Sequence, residues 1–194
     1  PGLDPFTLVL TRRPKDKPAF MTITQAGLIA YIGVNDAGLG FCLNSLPAPS
    51  KRTGIPLYFI LRKIIESTSL DAAVRAASDA ERAIPCNVIM ATPQGPADLE
   101  ITVPGVYVLR EERKGLITHT NHCQHAELQD INSKYSELIQ SHARKSRVDL
   151  LTLPDAEPLS IARFKEILSD HDGYPRSICR HPNNDPASGH WRSV

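Results

Sequence analysis

Apolar and polar residues alternate along the first part of the chain, and the period then changes. Residues 7–12 read as a strand, 13–18 as a charged, proline-flanked turn, and 19–24 as the returning strand. Two short apolar runs, 28–34 and 39–43, are joined by Asn35-Asp36-Ala37-Gly38, a composition that predicts a β-hairpin. Cys42 falls at an alternating position of this hairpin and is expected in the core. Residues 44–53 form a polar loop containing prolines, with Lys51 and Arg52 at its tip. Behind Gly54-Ile55-Pro56, the residues Leu57, Ile60, Leu61, Ile64 and Ile65 recur at helical spacing. Ser69 is placed to cap a second helix whose buried face carries Leu70, Ala73, Val74 and Ala77.

Pro85 ends the helical stretch, and the period returns to two. Residues 86–91, 98–103, 106–110 and 116–120 read as strands separated by Pro/Gly turns. Beyond them lie a polar loop over 124–132, a short helix over 133–141 and a helix over 144–153 stopped by Pro154. Ser160 is placed to cap a further helix with Ile161, Phe164, Ile167 and Leu168 inward. Residues 177–179 and 190–194 read as strands, and 182–188 as a loop. The order is strands, two helices, strands, then helices. It argues against alternating βαβ units and for an α+β chain, an antiparallel sheet with helices layered on it.

Composition narrows the setting. The chain has 194 residues, 41% hydrophobic and 22% charged, the make-up of an ordinary globular domain. A net charge of +1 implies no nucleic-acid partner. No apolar run approaches a membrane span, and no signal peptide is visible, so a cytoplasmic protein is expected. Cys42, Cys86, Cys123 and Cys179 are far apart and are expected to stay reduced. Residues 1–7 look like a cloning or protease-site remnant, leaving 8–194 as one domain.

Chemistry concentrates in Thr118-His119-Thr120-Asn121-His122-Cys123, where the last apolar run ends. His119, His122, Cys123 and His125 invite a zinc reading, but their spacing matches no closed structural pattern, and no metal is expected. Cys123 beside a histidine could be a nucleophile; a buried inert thiol is the commoner state.

Taken with Gly33-Val34-Asn35-Asp36-Ala37-Gly38 upstream and Ser177-Ile178-Cys179-Arg180 downstream, this stretch resembles the isopenicillin N acyltransferase family. These are autoproteolytic N-terminal-nucleophile (Ntn) cysteine enzymes that transfer or hydrolyse acyl groups on amides. The resemblance implies an αββα sandwich, two antiparallel sheets flanked by helices. It implies a mature N-terminal cysteine whose thiolate attacks the acyl carbon while its own α-amine serves as base. By resemblance Asn121 matches the oxyanion-hole asparagine, and Arg180 matches the arginine that organises charge near the nucleophile. Asn44, His119 and Ser177 are expected to contact substrate. No cofactor is implied, although acyl-coenzyme A could serve as acyl donor.

The sequence departs from that pattern at one decisive place. Pro1 is not a cysteine, and no segment matches the Asn-Trp-Asp-type run expected shortly after it. The expectation is therefore a partial Ntn domain, lacking its first strand and last strands. Either another chain carries the nucleophile, or the chain is truncated, or it is a degenerate relative that binds a ligand or partner.

Overall fold

The structure is a computed structural model that describes residues 4–111, 115–135, 140–153, 159–181 and 183. The alternating segments pair, each with its neighbour in sequence, into one antiparallel sheet. Its seven strands are β1 (Thr7–Arg12), β2 (Phe20–Gln25), β3 (Ile32–Asn35), β4 (Gly40–Ser45), β5 (Cys86–Ala91), β6 (Ala97–Ile101) and β7 (Val106–Arg110). Two helices interrupt the meander between β4 and β5: α1 (Leu57–Ile65) and α2 (Leu70–Ser78).

Both helices lie on one face of the sheet and make the core with it. Ile60, Leu61, Ile64 and Ile65 of α1, and Leu70, Ala73, Ala76 and Ala77 of α2, meet Phe20, Phe41, Val88, Met90, Leu99 and Ile101. Each large aliphatic side chain so buried contributes about 1.5–3 kcal/mol. Ser69 caps α2 as expected, its Oγ accepting the Ala72 N–H at 3.2 Å. Past the other end of α2 the Arg82 guanidinium donates to the carbonyls of Ala77, Ser78, Ala80, Thr102 and Val103. It satisfies acceptors the helix leaves open and ties the helix end to the β6–β7 turn.

Asn35, in the turn motif that carried part of the resemblance, is a structural pin. Its buried Nδ2 donates to the carbonyls of Ile65 and Ser67, both at 2.8 Å, and its Oδ1 accepts the Leu39 N–H. The β3–β4 turn is thereby fastened to the end of α1.

The opposite face is covered unevenly. Over β5–β7 it carries residues 115–135, including α3 (Gln129–Lys134), with Leu46, Cys123 and Leu128 as a second small core. Over β1–β3 it is open: Val9, Met21, Ile23 and Val34 are all exposed. The helices α4 (His142–Thr152) and α5 (Ile161–Leu168) follow.

Several expectations are corrected. Cys42 is exposed, because Phe41 and Leu43 take the helix side of β4. Residues 116–120 form no strand; they leave the sheet and cross the face opposite α1 and α2, held by side-chain bonds such as Thr118 Oγ1 to Asp149 at 2.5 Å. The 124–132 loop contains the start of α3. In α5 only Ile167 is buried, while Ile161, Phe164 and Leu168 face outward. Residues 177–179 are a bend, closed by the Cys179 N–H donating to the Asp170 carbonyl at 2.9 Å. The strand expected over 190–194 lies outside the described residues. A single helix-backed sheet is one half of the expected sandwich; no second sheet is present among the described residues.

Candidate functional site

Strand parity builds the site. Residues that alternate with the core positions of β4, β5 and β6 point to the second face, and here they are polar. Asn44, Asn87 and Glu100 stand opposite one another across three strands. Asn44 Nδ2 donates to Asn87 Oδ1 at 3.1 Å, and Asn87 Nδ2 donates to Asp98 Oδ2 at 2.5 Å. Asn87, Asp98 and Glu100 are fully buried. Polar groups removed from water in this way must be paired.

Their partner is the crossing segment. His119 Nε2 lies 2.8 Å from Glu100 Oε1 and 3.7 Å from Asp98 Oδ2, and its side chain is fully buried. Its Nδ1 faces the Thr120 carbonyl at 2.6 Å. Both ring nitrogens therefore meet oxygen atoms, the Glu100 carboxylate on one side and the Thr120 carbonyl on the other. Glu100 also accepts the backbone N–H groups of Gln124 and His125. One carboxylate thus anchors both ends of the turn that carries Asn121. Burial lifts the Asp98 carboxyl to about 6, against the opposing pull of His119 and Asn87. The donor atoms of Asp98, Glu100 and His119 lie within 4.8 Å of one another, close enough for a cation. Both Glu100 oxygens, however, are already engaged by backbone donors.

Asn121 sits at the rim of this network. Its Nδ2 donates to the Ser45 carbonyl at 3.0 Å and reaches the Ser45 hydroxyl at 3.3 Å. Its Oδ1 accepts from Arg144 Nη2 at 2.9 Å. Arg144 is a cation in a desolvated place: burial first, and then the charge of Arg180, lower its pKa to about 10. Arg180 is near enough for its charge to act on Arg144. The structure therefore joins Asn121 to Arg144, with Asn44 and His119 linked through the buried relay and the Arg180 charge within range of Arg144. Ser177 is buried, and its hydroxyl donates to the Cys179 carbonyl, a bond internal to its own loop.

The other histidines of the stretch diverge. His122 Nδ1 meets the Ser141 hydroxyl at 2.7 Å; burial, with positive charge from His142, His119 and Lys145, drops its pKa to about 4. His125 Nδ1 accepts the Glu127 N–H. Cys123 is buried, and burial with the nearby Glu100 charge pushes its thiol up to about 12, which makes it a poor nucleophile.

Sequence reasoning missed Arg144, Asn87, Asp98 and Glu100. For the last two a signal existed. Two carboxylates at alternate positions of an otherwise apolar strand share one face, and that face needed a partner. Arg144 gave none, being one of several basic residues on a polar helix.

A helix-backed antiparallel sheet with a polar site on its other face is half of an Ntn-hydrolase sandwich. Solved structures agree on the fold. Penicillin V acylase from Agrobacterium tumefaciens superposes with a TM-score of 0.55 at 13% identity, covering 78% of this chain and 55% of its own. A variant of conjugated bile acid hydrolase from Clostridium perfringens gives 0.51 at 15% identity, covering 78% of this chain and 62% of its own. The family model described as acyl-coenzyme A:6-aminopenicillanic acid acyl-transferase matches residues 4–190, and the chain belongs to that family. A curated relative, the 40 kDa form of acyl-coenzyme A:6-aminopenicillanic-acid-acyltransferase from Emericella nidulans, is 32% identical over 169 residues. That alignment takes in 84% of this chain and 45% of the relative, so the chain spans about half the relative's length.

Proposed function

We propose that this chain forms the oxyanion-stabilising part of an acyltransferase or amidohydrolase that works through a cysteine acyl-enzyme, with the nucleophile contributed from outside these 194 residues. The observation that carries the reading is the orientation of Asn121. A guanidinium holds its carbonyl oxygen and Ser45 holds its amide nitrogen, so an N–H donor is fixed beside the Arg144 cation. The oxyanion of a tetrahedral intermediate would accept a hydrogen bond from the amide N–H now directed at the Ser45 hydroxyl. Arg144 and Arg180 would stabilise its charge without moving.

The environments of the cysteines support an external nucleophile. The thiols of Cys86 and Cys123 are pushed up to about 12 by burial, and that of Cys42 is also raised by desolvation. Cys179 Sγ faces His181. On this reading an N-terminal cysteine is freed by autoproteolysis and uses its own amine as base. The acyl donor is an amide or an acyl thioester such as acyl-coenzyme A, the acceptor is an amine or water, and the acyl transfer asks for no further cofactor. The four unpaired thiols fit the cytoplasmic setting we propose. No helix among the described residues is long and apolar enough to cross a membrane.

The test is Asn121→Ala in protein that includes the nucleophile-bearing segment. Loss of one oxyanion donor should cost about 2.7–4 kcal/mol of barrier, roughly a 100- to 1,000-fold fall in kcat. KM and the unfolding midpoint should barely move. Unchanged kcat would remove Asn121 from the reaction. If material with an N-terminal cysteine still turns over no amide or thioester, the chain belongs to a binding module instead.

A further inference from the structure

We propose that His171, Cys179 and His181 form a zinc site, with His171 Nε2, Cys179 Sγ and His181 Nε2 as three ligands and a water in the fourth position. The proposal is independent of the acyl-transfer reading.

The three donor atoms lie within 4.8 Å of one another. His181 Nε2 is 3.6 Å from Cys179 Sγ and 2.7 Å from His171 Nε2, with the two rings nearly parallel. A tetrahedral zinc with bonds of about 2.0–2.1 Å to nitrogen and 2.3 Å to sulfur places N and S about 3.6 Å apart and two nitrogens about 3.3 Å apart. The sulfur–nitrogen edge already has that length. The nitrogen–nitrogen edge needs to open by roughly 0.6 Å, and the two imidazoles, which face each other nearly head-on and are both exposed, must each tilt by roughly 35° toward a common centre. At 2.7 Å the two Nε2 atoms are in hydrogen-bond contact. Zinc would replace that contact with one coordinate bond to each nitrogen.

The loop holds this arrangement before any ion arrives. The Cys179 N–H donates to the Asp170 carbonyl, setting positions 171 and 179 side by side. Arg147 grips the same loop through Asp170 at 2.7 Å and Asp172 at 3.1 Å. Both carboxylates are thereby occupied, so the donors left to an incoming cation are nitrogen and sulfur. Two imidazoles and a thiolate select zinc over magnesium or calcium, which favour oxygen. His171 and His181 are exposed and Cys179 is half-buried, so an ion can enter from solvent. Bound zinc would clamp the loop that carries Arg180.

The experiment uses tag-free protein stripped with chelator and titrated with cobalt(II), then with zinc. The expected result is a sulfur-to-cobalt charge-transfer band that saturates at one equivalent and is displaced by zinc. The band should be lost in Cys179→Ser, reduced at least tenfold in affinity in His181→Gln, and unchanged in Cys42→Ser. Zinc should raise the thermal midpoint of the parent but not of Cys179→Ser, whose midpoint in chelator should equal the parent's. No charge-transfer band, a band that survives Cys179→Ser, or an equal zinc shift in parent and variant would each overturn the proposal.

Discussion

Asp98 and His122 titrate against each other, and this gives the structure a quantitative test. Asp98 is lifted from 3.8 to about 6, chiefly by burial. His122 is dropped from 6.5 to about 4, again chiefly by burial. Between about pH 4 and 6 the folded chain holds a proton on Asp98 that the unfolded chain lacks. Stability from this group therefore falls as pH rises, by about 1.4 kcal/mol per unit. Over the same window the unfolded chain protonates the imidazole and the folded chain does not, so His122 makes stability rise with pH at the same slope. The totals are about 3 kcal/mol for Asp98 and about 2–3 kcal/mol for His122, whose ring keeps some contact with solvent, so in the parent they nearly cancel. Removing either one should uncover the other. Relative to the parent, Asp98→Asn should lose about 2 kcal/mol as pH is taken from about 6.5 to about 4.5, and His122→Gln should gain about as much. Urea midpoints of parent and variant at each pH provide the measurement, because groups common to both cancel in the difference. A pH-independent difference between Asp98→Asn and the parent would refute the buried, protonated Asp98.

Two further outcomes follow from single contacts. Arg82→Lys should lower stability by about 2–3 kcal/mol in urea unfolding, because an ammonium cannot reach the five carbonyls that the guanidinium fork serves; an unmoved midpoint would mean that water replaces the fork. In timed alkylation read by mass spectrometry, Cys42 should react in the native state while Cys86 and Cys123 wait for unfolding. Modification of Cys123 at the rate of Cys42 would contradict its buried, raised thiol.

Much of the fold was legible because local chemistry and tertiary demand agree there. The hairpin turns, the Ser69 and Ser160 caps and the apolar face of α1 are each written in a few neighbouring residues. Residues 116–120 have strand composition, yet long-range bonds from His119 to Glu100 and from Thr118 to Asp149 draw them off the sheet, and no local window contains those partners. Cys42 was misplaced because alternation gives two faces without saying which one the helices choose. At the site, Asn121 was found by motif, whereas Arg144 is 23 residues away and is joined to it only by folding. The sequence reading weighed metal ligands only within residues 119–125. The His171, Cys179 and His181 cluster depends on a loop closure that spacing does not reveal.

The two faces of β5 and β6 divide the labour of the sheet residue by residue. Cys86, Val88, Met90, Ala97, Leu99 and Ile101 meet the helices, while Asp98 and Glu100 meet the crossing segment and Asn87 is bonded to Asp98 beside them. A saturation mutational scan across these strands would therefore oscillate with a period of two. Abundance in the cell should collapse at one parity, and the acyl transfer proposed above should fall per surviving molecule at the other. Variation that drifts through this family should be sorted by the same beat, with aliphatic exchange permitted on one side of each peptide plane and almost nothing permitted on the other.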